Sequence, residues 1–176
     1  FFKQKTAYEI GTGDWSSDVC SSDLVVAWWR ELDALAARGY RTPSHSFALA
    51  LPSGRKLYYR NCYKKLIQPK DGRRPYFATC VDFGYKSSIV NTNLLSNNNI
   101  QSIARDLMVR AFNRLCKELP GAAPCLLVHD EAVVMVPADK AEEYAQRIED
   151  IMEDTPDWAN TLPLLAEPEI MDKYRK

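Results

Sequence analysis

Residues 125–136 read CLLVHDEAVVMV. Two β-rich apolar runs, Cys125–His129 and Ala132–Val136, flank a short acidic corner at Asp130 and Glu131. The pattern predicts a tight hairpin whose turn is held on buried strands. Side chains alternate along a strand, so the two adjacent carboxylates project in roughly opposite directions. One of them could join a carboxylate from another strand to hold Mg²⁺, which takes a few hard oxygens and leaves room for phosphates and water. A solvated acidic turn is the competing reading of the same residues.

The surroundings of this hairpin set the fold class. Upstream, Asn97–Leu119 is the clearest helix. Ile100, Ile103, Ala104, Leu107, Met108, Ala111 and Leu115 trace one stripe that stops before Pro120 and Gly121. Downstream, Asp139 and Glu142 stand in capping-box spacing. The helix they open has Tyr144, Ile148, Ile151 and Met152 on one face and ends at Pro156. Leu162–Ala166 reads as a last strand. Earlier in the chain, Val25–Arg38 has apolar residues at 25, 28, 32, 35 and 36, a helical spacing stopped by Gly39. Phe47–Leu51 and Lys56–Tyr59 flank Pro52-Ser53-Gly54 as a hairpin, and the turn cluster 68–75 precedes a strand at Tyr76–Val81. The order βββ-α-ββ-α-β predicts an α+β fold, an antiparallel sheet with helices packed on one face.

At 176 residues the chain has the length of one domain. Hydrophobic residues make up 46% and charged residues 26%, ordinary for a globular chain. No stretch reaches the roughly 18 consecutive apolar residues of a membrane span, so no membrane partner is expected. Residues 1–24, FFKQKTAYEIGTGDWSSDVCSSDL, stand apart. They have no hydrophobic periodicity and no signal-peptide layout. Back-translated, KQKTAYEI (3–10) and DWSSDVCSSDL (14–24) resemble the two ends of a common short-read sequencing adapter, with 11–13 fitting its variable index. The expectation is a non-biological, disordered segment at 1–24, with the genuine protein beginning in mid-sequence at about Val25. Setting it aside changes the charge. The formal net charge of zero becomes +2, because the segment holds Lys3 and Lys5 against Glu9, Asp14, Asp18 and Asp23. Cys62, Cys80, Cys116 and Cys125 remain, with no C-x-x-C pair to suggest zinc. Scattered cysteines of this kind fit a reducing cytosol.

Two further groups of residues could bind a polyanion. Asn97, Asn98, Asn99 and Gln101, followed by Arg105, open the predicted long helix, where their amides could meet nucleobase edges or sugars. An asparagine N-cap with an exposed Gln101 is the plainer reading. Arg55, Lys56, Arg60, Lys64, Lys65, Lys70, Arg73 and Arg74 interleave with Tyr58, Tyr59, Tyr63 and Tyr76, and Asp71 is the one acid among them. Such a stripe suits a phosphate backbone, or is simply a solvated hairpin face. The near-neutral total thus averages a basic first half and an acidic stretch from Asp139 to Asp157.

Five segments occur in order: LPSGRKLYY (51–59), NNNIQSIARDLM (97–108), LLVHDEAVVMVP (126–137), IMEDTPDWA (151–159) and LPLLAEPEIMDKYRK (162–176). Together they resemble the C-terminal part of a family A DNA polymerase of the bacteriophage type, over nearly all of the chain after residue 25. The resemblance implies that 25–176 is the C-terminal part of a polymerase palm. It implies that Asp130 is one of two aspartates binding the catalytic metals, two Mg²⁺ ions, with Glu131 supporting the site and His129 at the primer terminus. Gln101, with Asn97 or Asn98, resembles residues touching the nascent duplex in the minor groove. Arg55 resembles a template-primer contact. The implied partners are a DNA primer-template and a dNTP, in the cytoplasm of a bacterial host; the oligomeric state is left open. The partner aspartate of a D-Y-S-type motif and the R-x-x-x-K fingers helix are both missing, and residues 82–96 fit loosely. The palm is therefore expected to be incomplete and the chain alone inactive. The alternative is a non-catalytic nucleic-acid-binding module built on the basic hairpin and the Asn/Gln helix. A bare structural domain with an acidic turn is a further rival.

Overall fold

The computed structural model describes residues 2–5, 23–39, 41–42, 44–82, 84 and 86–173. Among these the chain is α+β, as expected, with antiparallel sheets and three α-helices. Residues 1 and 6–22 of the segment matched to the adapter lie outside the described residues, as does the Tyr174-Arg175-Lys176 terminus. Two compact units divide the chain, Asp14–Ser102 on one side and Phe1–Gly13 with Ile103–Lys176 on the other.

The unit Asp14–Ser102 starts with helix α1 (Asp23–Gly39) and continues with strands β2 (Phe47–Ala50), β3 (Lys56–Tyr59), β4 (Cys62–Ile67), β5 (Tyr76–Asp82) and β6 (Ser87–Ile89). It takes in the first turns of helix α2 (Thr92–Glu118). The α1 stripe packs as its spacing requires: Leu32 and Ala36 are buried and Trp28 and Leu35 lean on the same core. That core gathers Phe47, Leu49, Tyr59, Cys62, Val81, Val90 and Leu95. Gly39 is both the helix stop and a contact. A Cβ there would lie 2.4 Å from the Phe47 ring. That ring stacks on Tyr59 with centroids 4.7 Å apart and planes 8° from parallel. The β2–β3 hairpin runs in register from Phe47↔Tyr59 to Ala50↔Lys56. Its turn needs a positive φ, which Gly54 supplies at 84°.

In the second unit one four-stranded antiparallel sheet has the order β7-β8-β1-β9, formed by β1 (Phe2–Lys5), β7 (Ala123–Val128), β8 (Glu131–Met135) and β9 (Leu165–Pro168). The rest of α2 and helix α3 (Ala141–Glu153) supply its helical layer. Ala132, Val134 and Ala166 share a core with Met108, Ala111, Leu115 and Leu119 of α2 and with Tyr144, Ala145, Ile148, Ile151 and Met152 of α3. Both helices therefore cover one face. By alternation Glu131, Val133 and Met135 belong to the opposite face of β8, and Met135 is exposed. The backbone of Phe2–Lys5 bridges β8 and β9, with Lys3 in register with both Glu131 and Glu167.

Five expectations are corrected by this structure. Helix α2 begins at Thr92 and not at Asn97, because Asn91 caps it: the Leu94 N–H donates to Asn91 Oδ1 at 2.8 Å. The capping box at Asp139 and Glu142 does not form. Pro137, at φ −58°, instead opens a short 3₁₀ turn at Ala138–Lys140, and α3 starts behind it with no side-chain cap. The last strand is Leu165–Pro168, since the 3₁₀ turn Asp157–Ala159 and the Leu162 N–H to Ala159 carbonyl bond hold the chain in a turn until then. Strand β7 is not buried: Leu126 and Leu127 are both exposed, as an outermost strand allows. Strands β4 and β6 add to the expected elements. Four successive exposed residues in β4 erase the alternation, and β6 has only three residues.

Candidate functional site

The acidic corner is built by the β7–β8 ladder. Its last pair is Val128↔Glu131, so the turn proper is His129 and Asp130, one residue earlier than the expected corner. His129 takes a left-handed backbone at φ 53°. Few non-glycine residues do so without cost, histidine among the more tolerant. Asp130 is half-buried in the turn, and Glu131 is half-buried as the first residue of β8, on the face away from the helices. The strands thus hold the carboxylates in different ways, one in a turn and one on a ladder.

A metal needs more ligands than this pair. Among the described residues no group of three or more His, Cys, Asp or Glu side chains converges as a metal site. Asp130 and Glu131 offer hard oxygens in the number Mg²⁺ takes from protein when substrate phosphates and water complete its shell. By donor type alone, two such carboxylates would supply part of the ligands that Mg²⁺ needs.

The other candidates collect on the first half of α2, within the unit Asp14–Ser102. Asn98 is half-buried and donates from Nδ2 to the Tyr59 hydroxyl at 2.9 Å. Burial raises the Tyr59 pKa, and the Asn98 bond partly offsets this. Asn97 and Gln101 are exposed and four residues apart, hence on one helix face. Asn98 serves the fold, while Asn97 has its side chain in solvent. Arg55 is half-buried and reaches the same helix, donating from Nη2 to the Ser102 carbonyl at 3.3 Å. None of Asn97, Asn98 or Asn99 is the N-cap. Ile100, assigned to the apolar stripe, is 55% exposed beside them.

Sequence reasoning missed two features. Tyr59 is a junction, stacked on Phe47 and bonded to Asn98. Its place in a Lys-Leu-Tyr-Tyr strand marks one tyrosine as buried by alternation, which is the signal that could have found it. In the other unit an ionic network ties α2 to the end of α3. Arg110 donates to the Asp154 carboxylate and carbonyl, both at 2.7 Å, and Arg114 reaches Asp154 at 2.5 Å while forking onto Glu118 at 2.6 and 2.9 Å. The Arg110 bond holds the Asp154 carboxyl below its ordinary range, and Arg114 does the same for Glu118. The Arg114–Glu118 spacing was visible in sequence; the partner at 154 was not.

Over 168 residues the chain is 30% identical to the DNA polymerase of Bacillus phage SP02, a match covering 86% of this chain and 25% of that protein. The chain is therefore related to a phage DNA polymerase and spans about a quarter of its length. No family model and no solved structure matches it.

Proposed function

We propose that residues 25–176 are the C-terminal part of the palm of a family A, phage-type DNA polymerase, and that 1–24 derive from a sequencing adapter. The observation that carries the reading is the His129-Asp130 turn closed by Glu131, in a chain similar to a phage polymerase.

In this reading Asp130 and Glu131 contribute half of a two-metal site, the other half coming from an aspartate outside this chain. Bound Mg²⁺ would lower the pKa of the primer 3′-hydroxyl and neutralise charge on the transferred phosphoryl group. The chain's own part is positional. The ladder fixes Asp130 beyond its last pair, and His129 stands next to it for the primer terminus. Asn97, with Gln101 on one exposed helix face, meets the minor groove, where acceptors are alike for every correct pair. Arg55 contacts template-primer from the neighbouring hairpin. The partners are primer-template and dNTP, the setting is a bacterial host's cytoplasm, and the chain alone does not extend a primer.

The test joins residues 25–176 to the upstream part of the SP02 polymerase and measures Mg²⁺-dependent primer extension. Extension is expected. A chimera that folds and binds primer-template but never extends it would refute the reading. It would favour the module that only binds nucleic acid, for which the exposed basic hairpin speaks.

A further inference from the structure

Strands β4 and β5 pair without a register shift from Cys62↔Val81 to Ile67↔Tyr76. The Cys62 end is anchored in the core, where Val81 is fully buried. Beyond it β4 loses its cover, while Cys80, Thr79 and Ala78 opposite on β5 stay buried. Tyr63, Lys64, Lys65 and Leu66 are exposed in succession, so the side chains of β4 itself are open on both sides. At the open end of the hairpin Tyr76 is 44% exposed, and Tyr63 on β4 is 37% exposed. Grouped apolar exposure of this kind usually marks a binding surface.

Pairing and alternation sort these side chains by face. Tyr63, Lys65 and Ile67 lie on one face of β4, and Tyr76 lies opposite Ile67 on the same face. Successive members of this row on β4 are about 6.6 Å apart. The Tyr63 hydroxyl is hydrogen-bonded to Ser87 of β6, which ties this ring to the sheet. The connection 68–75 adds Lys70, Arg73 and Arg74, all exposed, against Asp71, which pairs with Arg73 at 2.8 Å. The patch is cationic and aromatic together, and that combination suits one class of ligand best. Cations meet phosphates, whereas rings are useful only to bases whose faces are not already stacked in a duplex.

We propose that the Tyr63–Lys65–Tyr76 face of the β4–β5 hairpin is a docking surface for single-stranded nucleic acid. Bases stack on the two tyrosines, and phosphates meet Lys65, Lys70 and Arg74. The choice of a nucleic acid over an anionic membrane rests on the polymerase reading; the residues lie outside the His129–Glu131 corner.

The experiment uses the full chain, a labelled oligothymidylate and a labelled duplex, with anisotropy read across a salt series. Tyr63→Leu with Tyr76→Leu keeps apolar bulk and removes the rings. It should weaken oligothymidylate binding about tenfold for each stacked base and leave duplex binding unchanged. Tyr63→Phe, which loses only the Ser87 bond, should bind like the parent, so a loss through misfolding is told apart. Neutralising Lys65, Lys70 and Arg74 with glutamine should weaken both ligands and lower the single-strand salt slope by about 0.7 per lost phosphate contact. Phe77→Leu, on the other face, should change neither. Parent-like oligothymidylate binding by the double tyrosine variant overturns the proposal. So does loss through Phe77→Leu alone, or capture by phosphatidylserine vesicles without oligonucleotide binding. Asp130→Asn should leave this affinity intact, so the polymerase reading can fail or stand independently of the docking surface.

Discussion

Val128 and Glu131 face each other as the last pair of the β7–β8 ladder, which leaves His129 and Asp130 alone to turn the chain. The turn is what separates the two carboxylates, Asp130 lying beyond the ladder and Glu131 within it. It also sets the backbone of His129 at φ 53°.

A first prediction concerns that backbone. His129→Val should destabilise the chain by about 1–2 kcal/mol, since a β-branched residue tolerates the left-handed region poorly. His129→Gly should fold at least as well as the parent. Urea unfolding of both variants checks this; equal stability of Val and Gly would show that the turn relaxes at no cost.

A second prediction separates Asn97 from Asn98. Asn98→Ala removes a partner of the buried Tyr59 hydroxyl and should cost about 1–3 kcal/mol in thermal unfolding. Asn97→Ala should leave stability within about 0.5 kcal/mol and weaken primer-template binding in the chimera. The opposite assignment of effects would exchange the roles given to the two residues.

A third prediction tests the Gly39–Phe47–Tyr59 stack. Gly39→Ala puts a methyl where the Phe47 ring now lies. Moving that ring disturbs its contact with Tyr59, so a loss of about 1–3 kcal/mol is expected. Combining it with Phe47→Leu should recover part of the loss, a coupling that a double-mutant cycle measures directly.

A fourth prediction follows from Asp154 and Glu118, whose carboxyls are held below their ordinary values of 3.8 and 4.5, chiefly by hydrogen bonds from Arg110 and Arg114. A lowered folded pKa adds stability above the unfolded value, and that stability is lost as pH falls through the folded value. Asp154→Asn should therefore cost about 1 kcal/mol or less at neutral pH, the site being largely exposed. The difference should fade below about pH 4. A difference that grows in acid would contradict the assignment.

Much of the fold was legible because its strongest signals are periodic. The α3 face at Tyr144, Ile148, Ile151 and Met152 is buried as its spacing requires, the β2–β3 hairpin falls where its turn residues stand, and the β7–β8 hairpin forms with its turn one residue earlier than expected. What escaped were features decided by context. The start of α2 depends on the single Asn91 cap, six residues before the asparagine run that drew attention. Strand β4 has no periodicity because it has no covered face along Tyr63–Leu66. At the site, residue types were readable, but the division between Asn97 and Asn98 rests on Tyr59, thirty-nine positions from Asn98.

The measurement nearest the central claim is the single-turnover rate of primer extension in the chimera with Asp130→Asn, beside Asp139→Asn as an exposed control. On the proposed role Asp130→Asn removes a metal ligand, which forfeits several kcal/mol of transition-state stabilisation, so it should slow extension by about a thousandfold or more. Asp139→Asn should match the parent. An Asp130→Asn chimera extending within about twofold of the parent, a difference of roughly 0.4 kcal/mol, would contradict the assignment of this corner to catalysis.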